Sequence, residues 1–153
     1  MKKYLILFIC VASLGITAFS VNHMLQNKKP ILNHAALSVV NLQKSTSFYA
    51  DILQLEVIPE PFKDGKHSWS RIGEHSQLHV IEASKGIIEH DKSTHLCFSV
   101  TSIEEMIERL EKNKIDYGNW IGDSKKPTVR PDGVKQIFLK DPDGYWIEIN
   151  NDR

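Results

Sequence analysis

Three histidines and a glutamate, His34, His79, His95 and Glu148, are the side chains whose types and places together suggest chemistry. Neutral imidazole and carboxylate are donors suited to Zn²⁺, Ni²⁺, Fe²⁺ or Mn²⁺. Three or four such ligands on one ion leave room for water or a substrate. Taken singly, a histidine on a half-exposed strand is ordinarily a polar surface residue, and a lone glutamate is ordinarily answered by a lysine or arginine. These four differ because each occupies a matching position in an internal repeat.

Glu148 lies in the last strand candidate, 145–150, behind the turn Asp141-Pro142-Asp143-Gly144. Proline presets φ there, the aspartates accept backbone hydrogen bonds, and glycine tolerates φ > 0. Side chains alternate along a strand, so Trp146, Glu148 and Asn150 share one face and Tyr145, Ile147 and Ile149 the other. A carboxylate between two isoleucines is costly to bury without a partner. That partner is either a basic side chain or a cation.

The repeat is visible when His34-Ala35-Ala36-Leu37-Ser38-Val39-Val40-Asn41-Leu42 is laid against His95-Leu96-Cys97-Phe98-Ser99-Val100-Thr101-Ser102-Ile103. In both, histidine is followed four residues later by Ser-Val, then by a helix-capping residue and an aliphatic one. The first copy continues with an apolar helix face of Leu42, Phe48, Tyr49, Ile52 and Leu53, then strand candidates at 55–58, 67–72 and 77–83. The second has Ser102 with Glu105 in a capping-box pattern and an apolar face of Ile103, Met106, Ile107 and Leu110. Its strands are expected at 117–121, 134–139 and 145–150, and 122–133 is the longest irregular stretch. The expected fold is α+β: two βαβββ modules, 31–84 and 93–150, paired in a curved mixed sheet around a cavity. His34 and His95 lie on the first strand of each module, and His79 and Glu148 on the last. Equivalence under the repeat is expected to carry all four to one centre. His23, His67, His75 and His90 have no such symmetry, and Cys97, on the His95 face, is expected as a small buried apolar residue.

The 153 residues carry 19 acidic and 19 basic side chains, a balance that points to no nucleic acid or other charged polymer. The N-terminus differs from the rest. A basic Met1-Lys2-Lys3 precedes an apolar run from Tyr4 to Phe19, and Ala18-Phe19-Ser20 fits a small-x-small cleavage site. Residues 1–20 therefore read as a signal peptide or an N-terminal membrane anchor, 21–30 as a linker, and 31–150 as the folded domain. The protein is expected to be exported, periplasmic or otherwise extracytoplasmic. Once a signal is removed, Cys97 is the only cysteine, so stability comes from packing rather than a disulfide.

From residue 31 to 150 the chain resembles the vicinal oxygen chelate superfamily, also called the glyoxalase/bleomycin-resistance/dioxygenase superfamily. The residues that carry the likeness are 34–42 with Ser47-Phe48-Tyr49, then His95, then Asp141-Pro142-Asp143-Gly144-Tyr145-Trp146-Ile147-Glu148. The resemblance implies paired βαβββ modules, sites often completed at a dimer interface, and His34, His95 and Glu148 as metal ligands. Among its branches the chain is most similar to glyoxalase I, the lactoylglutathione lyases. Those place a fourth ligand, usually glutamate, where this chain has His79. Bacterial proteins of that type tend to have an arginine that helps hold the glutathione carboxylate where this chain has Ser38, which counts against glutathione.

The leading expectation is thus a metal-dependent lyase or isomerase, acting as a homodimer on a small substrate chelated through neighbouring oxygens. Glu148 serves there as both ligand and base. An extradiol-type dioxygenase would use His34, His95 and Glu148 as a two-histidine, one-carboxylate face for Fe²⁺, with His79 behind them. A fosfomycin-resistance-type thiol transferase uses the same three ligands. A non-catalytic small-molecule binder is the remaining alternative, and its relatives commonly lack these ligands.

Overall fold

The computed structural model describes residues 29–152. The signal or anchor segment 1–20, most of the linker and His23 lie outside the described residues. Among the described residues, no helix is long and apolar enough to cross a membrane.

In the first module, β1 (His34–Val39) leads into α1 (Leu42–Ser47), followed by β2 (Val57–Ile58), β3 (His67–Arg71) and β4 (Gln77–Glu82). In the second, β5 (His95–Ser99) leads into α2 (Ile103–Lys112), then β6 (Tyr117–Gly118), β7 (Thr128–Val129), β8 (Lys135–Lys140) and β9 (Trp146–Asn150). Each module builds its own mixed sheet. The first runs β1-β4-β3-β2 and the second β5-β9-β8-β6, with β7 pairing β8. The class is α+β, as expected. In both sheets the first strand pairs in parallel with the last, and the remaining neighbours are antiparallel.

The caps explain where the helices begin. Asn41 Oδ1 accepts the Lys44 N–H at 2.8 Å, and Ser102 Oγ accepts the Glu105 N–H at 3.1 Å. Ile103, Met106 and Leu110 form the buried stripe of α2. Four details differ from the periodicity. The first strand begins at His34, three residues into the expected domain, and the strand expected over 117–121 is only Tyr117–Gly118. The stretch 122–133 contains β7, a two-residue strand too short to carry an alternation. After α1 the chain widens into a π-helical stretch, Phe48–Ile52, which buries Phe48, Tyr49 and Ile52.

The inward faces of both sheets share one core with the helices: Leu37, Val39, Leu78 and Val80 from the first module, Ile137, Leu139, Ile147 and Ile149 from the second. Truncating one of these to alanine costs about 2–5 kcal/mol. A polar clasp at the 141–144 turn reinforces the join. Tyr49 Oη donates to Asp141 Oδ2 at 2.7 Å, Ser45 Oγ donates to Asp143 Oδ2 at 2.5 Å, and the Val40 N–H donates to Asp143 Oδ1 at 2.7 Å. Asp141 Oδ1 also accepts the N–H groups of Asp143 and Tyr145, each at 2.9 Å. Gly144 has φ +91°, and a Cβ there would meet Ile88 O at 3.1 Å, so glycine alone fits.

Candidate metal centre

With the apolar faces turned inward, the opposite face of each sheet presents the candidate ligands. The register repeats between modules. His34 lies opposite Gln77, two residues before His79, and His95 lies opposite Trp146, two residues before Glu148. An aromatic side chain faces each last-strand ligand from the neighbouring strand: Trp69 opposite His79 and Phe138 opposite Glu148. The equivalence expected from the repeat therefore holds residue by residue in the strands.

The four residues nevertheless gather as two pairs rather than at one centre. Among the described residues, no three His, Cys, Asp or Glu side chains come within reach of one cation. The physical reason is that each pair belongs to its own parallel strand pair, in its own sheet. His34 and His79 stack with ring centroids 4.2 Å apart and planes 6° from parallel, and Trp69 stacks on His79 at 4.0 Å. Burial, then the neighbouring His34 and His67, hold the His79 imidazole below its ordinary 6.5, which favours the neutral ring a metal requires. His79 Nε2 lies 2.9 Å from Gln77 Oε1, and His34 Nδ1 lies 2.7 Å from Asn33 Oδ1.

The second pair is more closely ordered. His95 Nε2 lies 3.2 Å from Glu148 Oε2. His95 Nδ1 lies 2.8 Å from the Lys92 carbonyl, which fixes that nitrogen as the donor and turns Nε2 toward the carboxylate. Glu148 is only 8% exposed, and its Oε1 accepts from Asn150 Nδ2 at 2.9 Å. No lysine or arginine forms an ion pair with Glu148 among the described residues, so the basic partner weighed from sequence is absent there. The donor chemistry fits a divalent cation: an imidazole nitrogen and a buried carboxylate oxygen converge, each held from behind by a hydrogen bond.

Cys97 lies opposite Glu148 on β5 and is exposed, not a buried apolar filler as expected. Its position on the His95 face, away from the shared core, accounts for this. Desolvation, then Glu148, push its thiol up to about 12, so it is a poor nucleophile. His67 contacts Asp64 at 2.9 Å, His75 contacts Glu74 at 3.6 Å, and His90 stacks on Tyr145; none joins either pair.

The Glyoxalase/Bleomycin resistance protein/Dioxygenase superfamily profile matches residues 31–149. The chain belongs to this superfamily. Among its relatives, a lactoylglutathione lyase of Pseudomonas putida is 22% identical over 151 residues, covering 78% of this chain and 83% of that protein. A mitochondrial methylmalonyl-CoA epimerase of Mus musculus is 30% identical over 131 residues, covering 77% of this chain and 71% of that protein. Among solved structures, the oxidase ChaP-H1 matches with a TM-score of 0.66 at 23% identity, covering 82% of this chain and 98% of that one. The superfamily membership and fold agree with the two sheets described above. These relatives include a lyase, an epimerase and an oxidase, so they do not single out a reaction for this member.

Strand alternation marks the four candidate ligands but not their division into pairs, nor the groups that support them. Asn150 shares the Glu148 face, and its i+2 spacing on the strand is the one signal of its role. Lys92 lies in a polar connection with no periodicity, and nothing in its sequence context marks it.

Proposed function

We propose that the protein is a metal-dependent enzyme of glyoxalase type that moves a proton on a small substrate chelated through neighbouring oxygens. The observation that carries this reading is the His95–Glu148 pair, with Nε2 and Oε2 3.2 Å apart. The proposed unit is a homodimer in which His34 and His79 of one copy meet His95 and Glu148 of the other. Two half-sites on separate sheets, with no three-ligand group among the described residues, support a shared centre. A divalent cation held there would supply Lewis-acid polarisation of the two substrate oxygens. Glu148 takes the proton from the substrate carbon and returns it to the neighbouring carbon, while Asn150 steadies the other carboxylate oxygen. The Lys92 carbonyl keeps His95 in one tautomer throughout.

A second reading rests on the engagement of His79 Nε2 with Gln77 Oε1. If that contact persists, His34, His95 and Glu148 form a three-ligand face, as in an extradiol dioxygenase or a thiol transferase. Metal analysis of protein purified without added metal, followed by assays with α-ketoaldehyde hemithioacetals and with catechols, separates the readings. Turnover of catechols alone would overturn the lyase proposal. Subunit sharing has its own test. Mixing a His34→Ala/His79→Ala chain with a His95→Ala/Glu148→Ala chain should restore roughly a quarter of wild-type metal and activity by random pairing. A centre built within one chain would restore none. Export is also proposed, from the character of residues 1–20; cell fractionation with N-terminal sequencing tests it, and an intact cytosolic chain would refute it.

A further inference from the structure

A cavity of about 380 Å³ has Lys92, Asn119, Phe138, Lys140 and Trp146 among its lining residues, and two of these, Trp146 and Phe138, are the strand neighbours of His95 and Glu148. Its walls are flat. Phe138, only 1% exposed, lies opposite Glu148 on the neighbouring strand and edge-on to His95, their ring centroids 5.6 Å apart. Trp146 lies opposite His95, and its Nε1 donates to the His90 carbonyl at 3.0 Å, which fixes the indole. Two ammonium groups border these rings. Lys92 Nζ is 4.9 Å from the Phe138 centroid and 4.7 Å from that of Trp146, and Lys140 Nζ is 4.8 Å from Trp146.

Neither lysine has an acidic partner among the described residues. Lys92 donates to the carbonyls of Asn119, at 2.9 Å, and Trp120, at 2.8 Å. An ammonium group has three N–H donors, so one remains for a ligand. The one carboxylate lining the cavity, Asp116, is exposed and lies 3.3 Å from Lys125 Nζ, so it does not neutralise the lysines. A half-buried ammonium beside aromatic rings is a strong attractor for an anion, and the partly exposed Trp146 indole can take a flat partner by stacking.

We propose that this cavity takes the planar, anionic end of the substrate, a carboxylate on an aromatic or otherwise unsaturated frame, with Lys92 as the residue that selects its charge. The inference rests on the reading of the His95–Glu148 face as the reaction centre. Because the Lys92 backbone carbonyl holds His95 while its side chain enters the cavity, one residue links substrate charge to the orientation of the ligand histidine.

The probes are benzoate and its neutral counterpart benzamide, titrated into the ¹⁵N-labelled full chain with and without bound metal. The signals followed are the indole N–H resonances of Trp120 and Trp146. Benzoate should shift them saturably and bind at least roughly tenfold more tightly than benzamide, as expected where a half-buried ammonium is matched by an anion. Lys92→Met should remove that preference while leaving benzamide unchanged, and Lys140→Met should reduce it by less. Equal affinities for the two probes in the wild-type protein would overturn the proposal without any variant, so it stays testable even if Lys92→Met fails to fold. A folded Lys92→Met that keeps the preference would overturn it as well. A wild-type protein that binds metal and turns over substrate but shows no preference for benzoate removes this inference alone. A wild-type protein that shows the preference but neither binds metal nor turns over substrate removes the reaction reading instead.

Discussion

The two half-sites share a strand register and differ in almost everything around it. On the first sheet, His34 and His79 lie in a stack of rings that continues to Trp69, and His34 is exposed. The Trp69 Nε1–H there is buried with no hydrogen-bond partner among the described residues. On the second sheet, His95 and Glu148 are held from behind by the Lys92 carbonyl and by Asn150. The ligand positions repeat between the modules, while the groups that aim them differ. One half contributes two imidazoles whose partners are neighbouring amide side chains, and the other an imidazole–carboxylate pair held by a backbone carbonyl and Asn150. The second half is therefore expected to set affinity and the first to complete the coordination.

The strongest way to break this contrast is to remove ligands from each half in turn. Glu148→Ala or His95→Ala should weaken divalent-metal binding by at least ~100-fold, exceeding the usual effect of losing an outer-shell contact. His34→Ala should come close to this. His79→Ala is expected to cost about tenfold to a hundredfold. Calorimetric titration with Zn²⁺, alongside circular dichroism to verify folding, measures each. Full affinity in His79→Ala would favour the three-ligand reading.

A smaller effect sharpens the claim that the second half is preset. Asn150→Ala removes the donor to Glu148 Oε1 and should lower metal affinity roughly 10–100-fold, with the ligands themselves untouched. Gln77→Ala, the corresponding change near His79, should leave affinity equal or improved, because it frees Nε2. Equal losses in both variants would erase the asymmetry.

The last effects concern stability rather than metal affinity, through the clasp that joins the halves. Tyr49→Phe takes a donor from Asp141 and should cost about 1–3 kcal/mol in urea unfolding. Burial, opposed by the hydrogen bonds from Tyr49 and the backbone, holds the Asp141 carboxyl above its ordinary 3.8. A raised folded-state value means that the folded chain holds this proton more firmly than the unfolded one. Its stabilising contribution is then complete below 3.8 and fades as pH rises through the folded value. Relative to Asp141→Asn, the wild type should lose stability as pH is raised from about 3.5 toward neutrality. Parallel pH profiles for the two proteins would refute that assignment.

Much of this architecture is legible in the chain itself. The Ser-Val spacing after His34 and His95, the caps at Asn41 and Ser102, and the turn at 141–144 are local signals, and each appears where local chemistry requires. The placement of His79 and Glu148 follows from strand alternation. What is not legible depends on distant partners. Nothing near residue 49 announces a π-helical turn, whose buried Tyr49 is bonded to Asp141. Lys92 acquires meaning only when the chain folds Trp120, Phe138 and Trp146 around it. The division of the ligands into two pairs is likewise a matter of which strands hydrogen-bond, and periodicity within a strand is silent about that.

The clasp at the turn also bears on how the chain assembles. Asp141 and Asp143 take donors from Tyr49, Ser45 and Val40, so the second module is finished only by groups from the first. Prising the modules apart would break those three cross-module hydrogen bonds and open the shared core to water. Trading a module with a neighbouring molecule therefore has to pass through a state that has lost both the clasp and the core. Newly made chains should fold to completion individually, in one cooperative step, and then meet as finished bodies.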